Sequence, residues 1–294
     1  MDPEERQLYP ATHTRATGAL LFSLVLGVLV PLPGAGRAIA DDRVLRVHDG
    51  AADHMYTVEA LVSAVGLSEF EVPNDPHFGP NRIFAGFALE PLLRHVGLSD
   101  AQELLLVCAD GYRIPFDVSA LLQHPRRALL AVRDTALPVD GKTHWPSYRH
   151  GTETIDFDPF YLVWVSADER AALDAETLPW PFQLTGIRRF DRDAYFAPAR
   201  PAPDAGEAVR KGFATYTAHC GKCHRMRGVG GEVGPALDRE YSLSSVLTRE
   251  QLLDYIRHDE GRYVRSKMPQ FSKLLSGTEL DQVTSYLRAM QPAR

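Results

Sequence analysis

The chain has 294 residues and a formal net charge of −6 at pH 7, with 45% hydrophobic and 24% charged residues. This length allows two domains of ordinary size. The composition is that of a globular protein, and it excludes a disordered chain and a protein with several membrane spans. The charge is unevenly distributed, because residues 204–294 are slightly basic whereas the rest of the chain is acidic.

The N-terminal segment, residues 1–40, has the pattern of a signal peptide. Arg15 precedes the apolar run Gly18–Val30, and the segment ends on the small-residue triplet Ala38-Ile39-Ala40. An apolar run of this length is typical of a signal-peptide core and is short for a membrane span. We predict cleavage after Ala40 and export to the periplasm. The alternative is an uncleaved N-terminal membrane anchor, because the residues ahead of Arg15 are unusually acidic for a leader.

Residues 41–196 mix the patterns of strands and short helices. The predicted strands are Arg43–Val47, Glu103–Cys108 and Tyr161–Val165. The predicted helices are Val58–Val65 and Glu90–Gly97. The second helix has a glycine at its end, where helices commonly stop. This mixture predicts an α+β fold for the N-terminal domain.

Three stretches of this domain resemble the molybdopterin-binding domain of the sulfite oxidase fold, in the shortened form found in exported proteins. They are residues 84–89, 109–112 and 178–187. In active members of that fold a single Cys at a strand end supplies a thiolate to molybdenum, and Cys108 occupies a comparable position. The positions that hold the pterin phosphate in that family are not clearly matched, so we expect no molybdopterin. Cys108 is then a small buried apolar residue.

Residues 197–203, Ala-Pro-Ala-Arg-Pro-Ala-Pro, separate this domain from the rest of the chain. A Pro/Ala segment of this kind is semi-rigid and lacks apolar side chains large enough to anchor it in a core. We therefore predict a solvated linker, with a second domain at residues 204–294 that has its own core.

The second domain contains Cys220-Gly221-Lys222-Cys223-His224, which has the C-x-x-C-H spacing of c-type haem attachment. Two thiols one helical turn apart can reach the two vinyl groups on one edge of a porphyrin, and His224 can then place its imidazole beneath the iron. A zinc site would need two further ligands at similar spacing, and a redox dithiol would follow a strand in a βαβ unit. We predict one covalent haem c, held by Cys220 and Cys223, with His224 as the proximal iron ligand.

The residues around this motif resemble class I c-type cytochromes over the whole of the second domain. Ala208–His219 has the periodicity of an amphipathic helix, and residues 276–279 have the form of a capping box that starts a terminal helix. The resemblance implies an all-α fold in which the last helix packs across the first. Residues 234–237 match the family's Gly-Pro-x-Leu, so the resemblance also implies that the carbonyl of Pro235 accepts the Nδ1 proton of His224.

The sixth iron ligand is assigned to Met268 by the same resemblance. Met268 lies in residues 267–271, Lys-Met-Pro-Gln-Phe, which look like the family's distal-ligand loop. The competitors are Met226, which is close to the proximal side, Met290, which falls on the terminal helix, and His258, which falls on another helix. Ligation by His and Met leaves no open position on the iron, so we expect the domain to transfer electrons and not to bind substrate.

Two hypotheses for the whole chain remain open. The favoured one is a periplasmic electron carrier: a monohaem cytochrome c passes single electrons between an exported dehydrogenase or respiratory complex and a terminal acceptor, and the N-terminal domain serves docking or scaffolding. The alternative is an enzyme, a self-contained molybdenum-dependent dehydrogenase in which Cys108 binds the metal and the haem is the electron exit.

Basic residues flank both predicted haem-contacting segments. They are Lys222, Arg225, Arg227, Arg262, Arg265, Lys267 and Lys273. Such residues can steer a redox partner protein that has an acidic docking face, and they can also be an ordinary solvated surface. We expect no nucleic-acid partner, and membrane contact only if residues 1–40 are uncleaved.

Overall fold

The computed structural model describes residues 41–119, 127–138, 142–150, 152–165, 179–258 and 268–291. The predicted signal peptide lies outside these ranges. Within them, no helix combines the length and the apolar character needed to cross a membrane. The described residues belong to one compact unit. It contains two hydrophobic cores.

The first sheet has five strands. They are β1 (Val44–His48), β2 (Asp53–Thr57), β5 (Glu103–Cys108), β6 (Arg113–Asp117) and β11 (Leu184–Phe190). Their order across the sheet is β2-β1-β11-β5-β6, in which β1 and β11 run parallel and the other neighbours run antiparallel. The sheet therefore places the start and the end of the N-terminal domain side by side.

The second sheet is antiparallel throughout. Its strands are β3 (Ser68–Asp75), β4 (Gly79–Ala88), β7 (Arg127–Asp134) and β10 (Tyr161–Val165), in the order β10-β7-β4-β3. A small hairpin and two helices complete this part of the described chain: β8 (Tyr148–His150), β9 (Glu153–Ile155), α1 (Val58–Val65) and α2 (Leu89–His95).

The predicted α+β class of the N-terminal domain is confirmed. The bounds of α1, β5 and β10 are those predicted from the sequence, and β1 differs by one residue at each end. Helix α2 stops at His95, and Gly97 follows it with a φ of 75°. These elements were predictable because each carries its own apolar periodicity or stop residue.

The C-terminal part is helical. Its helices are α3 (Arg192–Tyr195), α4 (Glu207–Thr215), α5 (Leu243–Val246), α6 (Arg249–His258) and α7 (Gly277–Ala289), with short 3₁₀ turns at Ala197–Ala199 and Phe271–Lys273. The predicted helix at 208–219 is divided in two, because α4 ends at Thr215 and a π-helical turn covers Tyr216–Cys220.

The terminal helix α7 starts with the predicted capping box. The Glu279 N–H donates to the Ser276 hydroxyl, and the Ser276 N–H donates to a Glu279 carboxylate oxygen at 2.8 Å. The buried stripe of α7 includes Leu280, Val283 and Leu287. Because the stripe faces the second core, α7 packs across α4, as the cytochrome resemblance implied.

The segment 197–203 is not the fully solvated linker that the sequence predicted. Ala199 is completely buried, and its carbonyl accepts a hydrogen bond from the Tyr286 hydroxyl of α7 at 2.7 Å. Phe196, directly ahead of the segment, is buried against Tyr216, with the ring centroids 6.1 Å apart. Pro198 is exposed. The 3₁₀ turn at Ala197–Ala199 directs the small Ala199 side chain into the core, and composition alone could not predict that contact.

The sequence predicted a C-terminal domain at residues 204–294 with its own core. The second core consequently extends beyond those residues. Besides the helical residues it includes Leu105 of β5, Phe190 of β11, Phe196 and Ala199. The first sheet and the helices therefore share one apolar cluster.

A buried polar cluster lies at the end of β3 in the first core. The Tyr161 hydroxyl donates to the Asp75 carboxylate at 3.0 Å, and it lies 2.9 Å from His77 Nδ1. The rings of Tyr148, Phe157 and Tyr161 surround the His77 imidazole, with centroids 5.3–5.7 Å away. Burial lowers the pKa of His77 to about 4 and raises the pKa of Asp75.

The substitution Phe196→Ala tests whether the linker region supports the second core. Removing a buried phenylalanine side chain costs about 3–5 kcal/mol of stability. The matched control is Pro198→Ala, an exposed change two residues away, for which we expect an effect below about 1 kcal/mol. Thermal unfolding followed by circular dichroism measures both. Equal midpoints for the two variants would contradict the packing of Phe196 in the second core.

The buried histidine predicts a loss of stability in acid. Because the pKa of His77 falls from 6.5 in the unfolded chain to about 4 in the folded one, its contribution is present above pH 6.5 and is lost as the pH falls towards 4. The difference corresponds to about 3 kcal/mol. His77→Phe should lose less stability than the wild type over this interval, measured as the free energy of unfolding.

The control for this comparison is His95→Phe, which replaces an exposed histidine of α2 in the same way. This variant should follow the wild-type profile. Asp75 is present in all three proteins. The opposite pH dependence of stability that follows from its raised pKa therefore cancels in the comparison. An acid loss of equal size in His77→Phe and the wild type would show that His77 does not cause it.

Candidate haem-binding site

The π-helical turn at Tyr216–Cys220 leads directly into the C-x-x-C-H motif. The Gly221 N–H donates to the Tyr216 carbonyl at 2.7 Å. The N–H groups of Cys223 and His224 both donate to the Cys220 carbonyl, at 3.1 and 2.9 Å. The motif is therefore one closed turn, which holds the two cysteines a turn apart and directs the next residue out of it.

The two cysteines of the motif are free thiols in the structure. Burial raises the pKa of Cys220 to about 12. Burial and the nearby Asp110 carboxylate raise the pKa of Cys223 to about 11. Both groups are consequently protonated at neutral pH, and they are poor ligands for a soft metal ion, which binds the thiolate.

The His224 imidazole is held by one hydrogen bond. Its Nδ1 lies 2.8 Å from the carbonyl oxygen of Pro235. Since a carbonyl can only accept, Nδ1 carries the proton and donates. Burial lowers the pKa of His224, and the bond to Pro235 opposes that shift only in part. The ring is therefore neutral at pH 7, with the Nε2 lone pair available to a metal ion.

Close packing against Gly234 restricts the same ring. A Cβ atom at this position would lie 2.2 Å from Cε1 and 2.6 Å from Nδ1 of His224. Only glycine has no side chain to occupy the space that the His224 ring fills. In the Gly-Pro pair, Gly234 therefore makes room for the ring, and the Pro235 carbonyl orients it. The backbone adds to the restraint, because the Gly234 N–H donates to the Cys223 carbonyl at 2.9 Å.

The glycine-rich loop at residues 228–231 also supports the motif. The Gly231 N–H donates to the Gly221 carbonyl at 2.8 Å, and the Gly230 N–H donates to the Tyr195 hydroxyl at 3.0 Å. The Tyr216 hydroxyl donates to the His224 carbonyl at 2.9 Å. The glycine run at 228–231 was the available signal, since repeated glycines indicate a close approach of two backbone segments.

Met268 lies at the edge of the second core. It is half-buried and packs against that core, whereas Met226 and Met290 are fully part of it. The two buried methionines therefore act as packing residues. Residues 259–267, including Arg262, Arg265 and Lys267 of the predicted basic surface, lie outside the described part of the chain.

The basic residues beside the motif differ in their environment. The Arg225 guanidinium forms an ion pair with Glu232 at 2.6 Å. The backbone N–H of Arg227 donates to Asp238 at 2.8 Å. The charge of Arg225 is thus largely offset within the chain, which reduces its contribution to an electropositive surface.

Cys108 does not suit the role of a molybdenum ligand. It is 3% exposed and belongs to the first hydrophobic core. Burial raises the pKa of the thiol, and the Asp110 carboxylate raises it further. Among the described residues there is no group of three or more His, Cys, Asp or Glu side chains arranged to hold a metal ion. The environment of Cys108 favours the thiol and disfavours the thiolate that the metal requires.

The residues of the motif do suit a covalently bound haem. Cys220 and Cys223 present thiols from one turn, and His224 presents a neutral imidazole whose orientation Pro235 and Gly234 restrict. A c-type haem needs these three side chains on one short segment.

Comparison with known proteins supports this assignment. Residues 207–287 match the family model of cytochrome c oxidase, cbb3-type, subunit III. A comparison with curated proteins finds no match. The matched range lies within the predicted second domain and contains the C-x-x-C-H motif, the Gly-Pro pair and Met268. The C-terminal part of the chain is therefore a c-type cytochrome domain.

Proposed function

We propose that this protein is a periplasmic electron carrier with one covalent haem. The observation that carries the proposal is the His224 imidazole, which follows the two cysteines and is held as a neutral ring by the Pro235 carbonyl at 2.8 Å. A neutral, oriented imidazole is what an iron ligand requires. Export is supported by the signal-peptide pattern of residues 1–40.

Different residues would attach the porphyrin and bind the iron. Cys220 and Cys223 would form thioethers, and His224 Nε2 would bind the iron. Met268 would supply the opposite ligand through its sulfur, which lies in a side chain that the core covers only in part. The bound group supplies a one-electron change between ferrous and ferric iron.

The ligand set decides what kind of function is possible. With His224 on one side and Met268 on the other, no coordination position is left for substrate, and a thioether ligand raises the potential of the iron. The chain's own side chains would thus keep the iron closed to small molecules. Transfer of single electrons to and from other proteins is the activity that such a site supports.

We assign the redox partner an acidic docking face. Lys222 lies inside the motif, Arg227 lies three residues after it, and Lys273 lies in the short turn that follows Met268. Arg262, Arg265 and Lys267 add charge in the sequence. A cluster of one sign accelerates encounter with a partner of the opposite sign. We propose that an exported dehydrogenase or a respiratory complex donates electrons to the haem, and that the haem passes them to a terminal acceptor.

We propose that the N-terminal domain has a sulfite-oxidase-like fold and that it serves as a scaffold. Its mixture of a five-stranded and a four-stranded sheet with short helices is compatible with that assignment. The buried Cys108 thiol argues against the rival function of a molybdenum dehydrogenase.

Covalent attachment predicts that haem stays on the denatured chain. Protein exported together with a cytochrome c maturation system should keep its colour in denaturing gels and weigh one haem more than the mature polypeptide. Cys220→Ser and Cys223→Ser should each leave at most one thioether, and the double variant none. Extraction of the wild-type haem by acid acetone would contradict the proposal.

Substitution of Met268 by leucine tests the sixth ligand. Leucine preserves the apolar volume but removes the sulfur, so folding should be little affected. Met268→Leu should lose the weak absorption band at the red end of the visible spectrum that a thioether gives with ferric haem, and its potential should fall. The control Met226→Leu should retain both properties. A retained band in Met268→Leu would assign the ligand to another residue.

Elemental analysis separates the carrier from the enzyme. We expect iron in equal molar amount to the protein and no molybdenum, with Cys108→Ala unchanged in iron content. Equimolar molybdenum that disappears in Cys108→Ala, together with substrate-dependent reduction of the haem, would establish the dehydrogenase instead.

A further inference from the structure

The turn between β5 and β6 contacts the haem-attachment segment. We call residues 108–113 the β5–β6 turn. The Asp110 carboxylate accepts the Tyr112 N–H at 2.9 Å, and the Gly111 N–H donates to the Cys108 carbonyl at 3.2 Å. These bonds, with Gly111 at a φ of 96°, give the turn a defined shape.

Two backbone hydrogen bonds join this turn to the C-terminal domain. The Arg113 N–H donates to the Lys222 carbonyl at 3.0 Å, and the Glu232 N–H donates to the Gly111 carbonyl at 2.9 Å. Lys222 lies between the two cysteines, and Glu232 lies two residues before the glycine that packs on His224. The turn therefore holds the segment on both sides of the proximal ligand.

The contact at Gly111 is tight. Gly111 is buried, and a Cβ atom there would lie 2.9 Å from the Glu232 Cβ and 3.0 Å from the Glu232 carbonyl carbon. A side chain at this position must push the two segments apart. Gly97 provides a contrast, because its φ is also positive, at 75°, but a Cβ atom there would meet nothing within 4 Å.

The turn also brings a negative charge to the attachment segment. Asp110 is exposed and immediately precedes the residue bonded to Glu232. The Cys223 thioether would attach directly to the porphyrin edge, and the Arg113 N–H of the same turn donates to the carbonyl of Lys222, the residue before Cys223. The turn that carries Asp110 therefore lies beside that edge.

We propose that the β5–β6 turn is part of the haem site and that the Asp110 carboxylate lowers the potential of the iron. The inference rests on the proposed function, because it assumes a haem on Cys223. Oxidation leaves the haem with one more positive charge, which a nearby carboxylate stabilises. The N-terminal domain thus tunes the cytochrome domain directly.

The variant Asp110→Asn tests the charge in the haem-loaded, full-length protein. The amide can still accept the Tyr112 N–H, so the turn is kept while the charge is removed. The matched control is Asp117→Asn at the far end of β6, where the carboxylate accepts the Ser119 N–H at 2.8 Å in the same way. Asp117 is four residues from Arg113, or about 13 Å along the strand.

A potentiometric titration of the haem absorbance gives the midpoint potentials. We expect a shift to more positive potential in Asp110→Asn and no shift in Asp117→Asn. Equal potentials for Asp110→Asn and the wild type would overturn the role of the charge. Equal positive shifts in both variants would also overturn it, because they would report net charge alone.

The variant Gly111→Ala tests the backbone contact, with Gly97→Ala as the control for backbone strain at positive φ. Gly111→Ala should shift the potential and lower the unfolding temperature by more than Gly97→Ala does. Identical potentials and unfolding temperatures in the two variants would overturn the contact. Wild-type protein without covalent haem would overturn the proposed function and this inference together, whereas a haem-loaded Asp110→Asn at the wild-type potential would overturn the inference alone.

Discussion

The hydrogen bonds between the β5–β6 turn and the attachment segment connect the two halves of the molecule. One runs from the Arg113 N–H to the Lys222 carbonyl, and the other from the Glu232 N–H to the Gly111 carbonyl. Both are backbone bonds at nearly ideal length, so they depend on the course of the chain and not on any one side chain. The apolar cluster that Leu105 shares with the helices reinforces the connection. The position of the haem motif is consequently tied to the first sheet.

Within this frame the proximal histidine has little freedom. Its ring is bonded at one edge to Pro235 and covered by Gly234, while the Tyr216 hydroxyl binds its carbonyl. Restraints of this kind reduce the reorganisation that accompanies a change in iron charge, since the ligand already occupies its final orientation. A carrier that exchanges electrons rapidly benefits from such a ligand.

Local patterns predicted much of the fold and the centre of the site. The helix at Val58–Val65 and the capping box at Ser276 depend on neighbouring residues, and both were predictable. The bond from His224 to Pro235 followed from a family resemblance. The burial of Ala199 and the contact between Gly111 and Glu232 were not predictable, because they join segments about a hundred residues apart in sequence and arise only when the sheet and the helices pack together.

The burial of Cys220 bears on the order in which a haem-loaded protein would mature. Cys220 is buried in the folded chain, and the carbonyl of Lys222 is already bonded to Arg113. An enzyme that joins haem to the two thiols needs both of them, and the backbone between them, to be accessible. For the proposed covalent haem, attachment would precede the docking of the β5–β6 turn, although that turn is synthesised first. A chain that docked the β5–β6 turn too early would bury Cys220 before the proposed haem reached it.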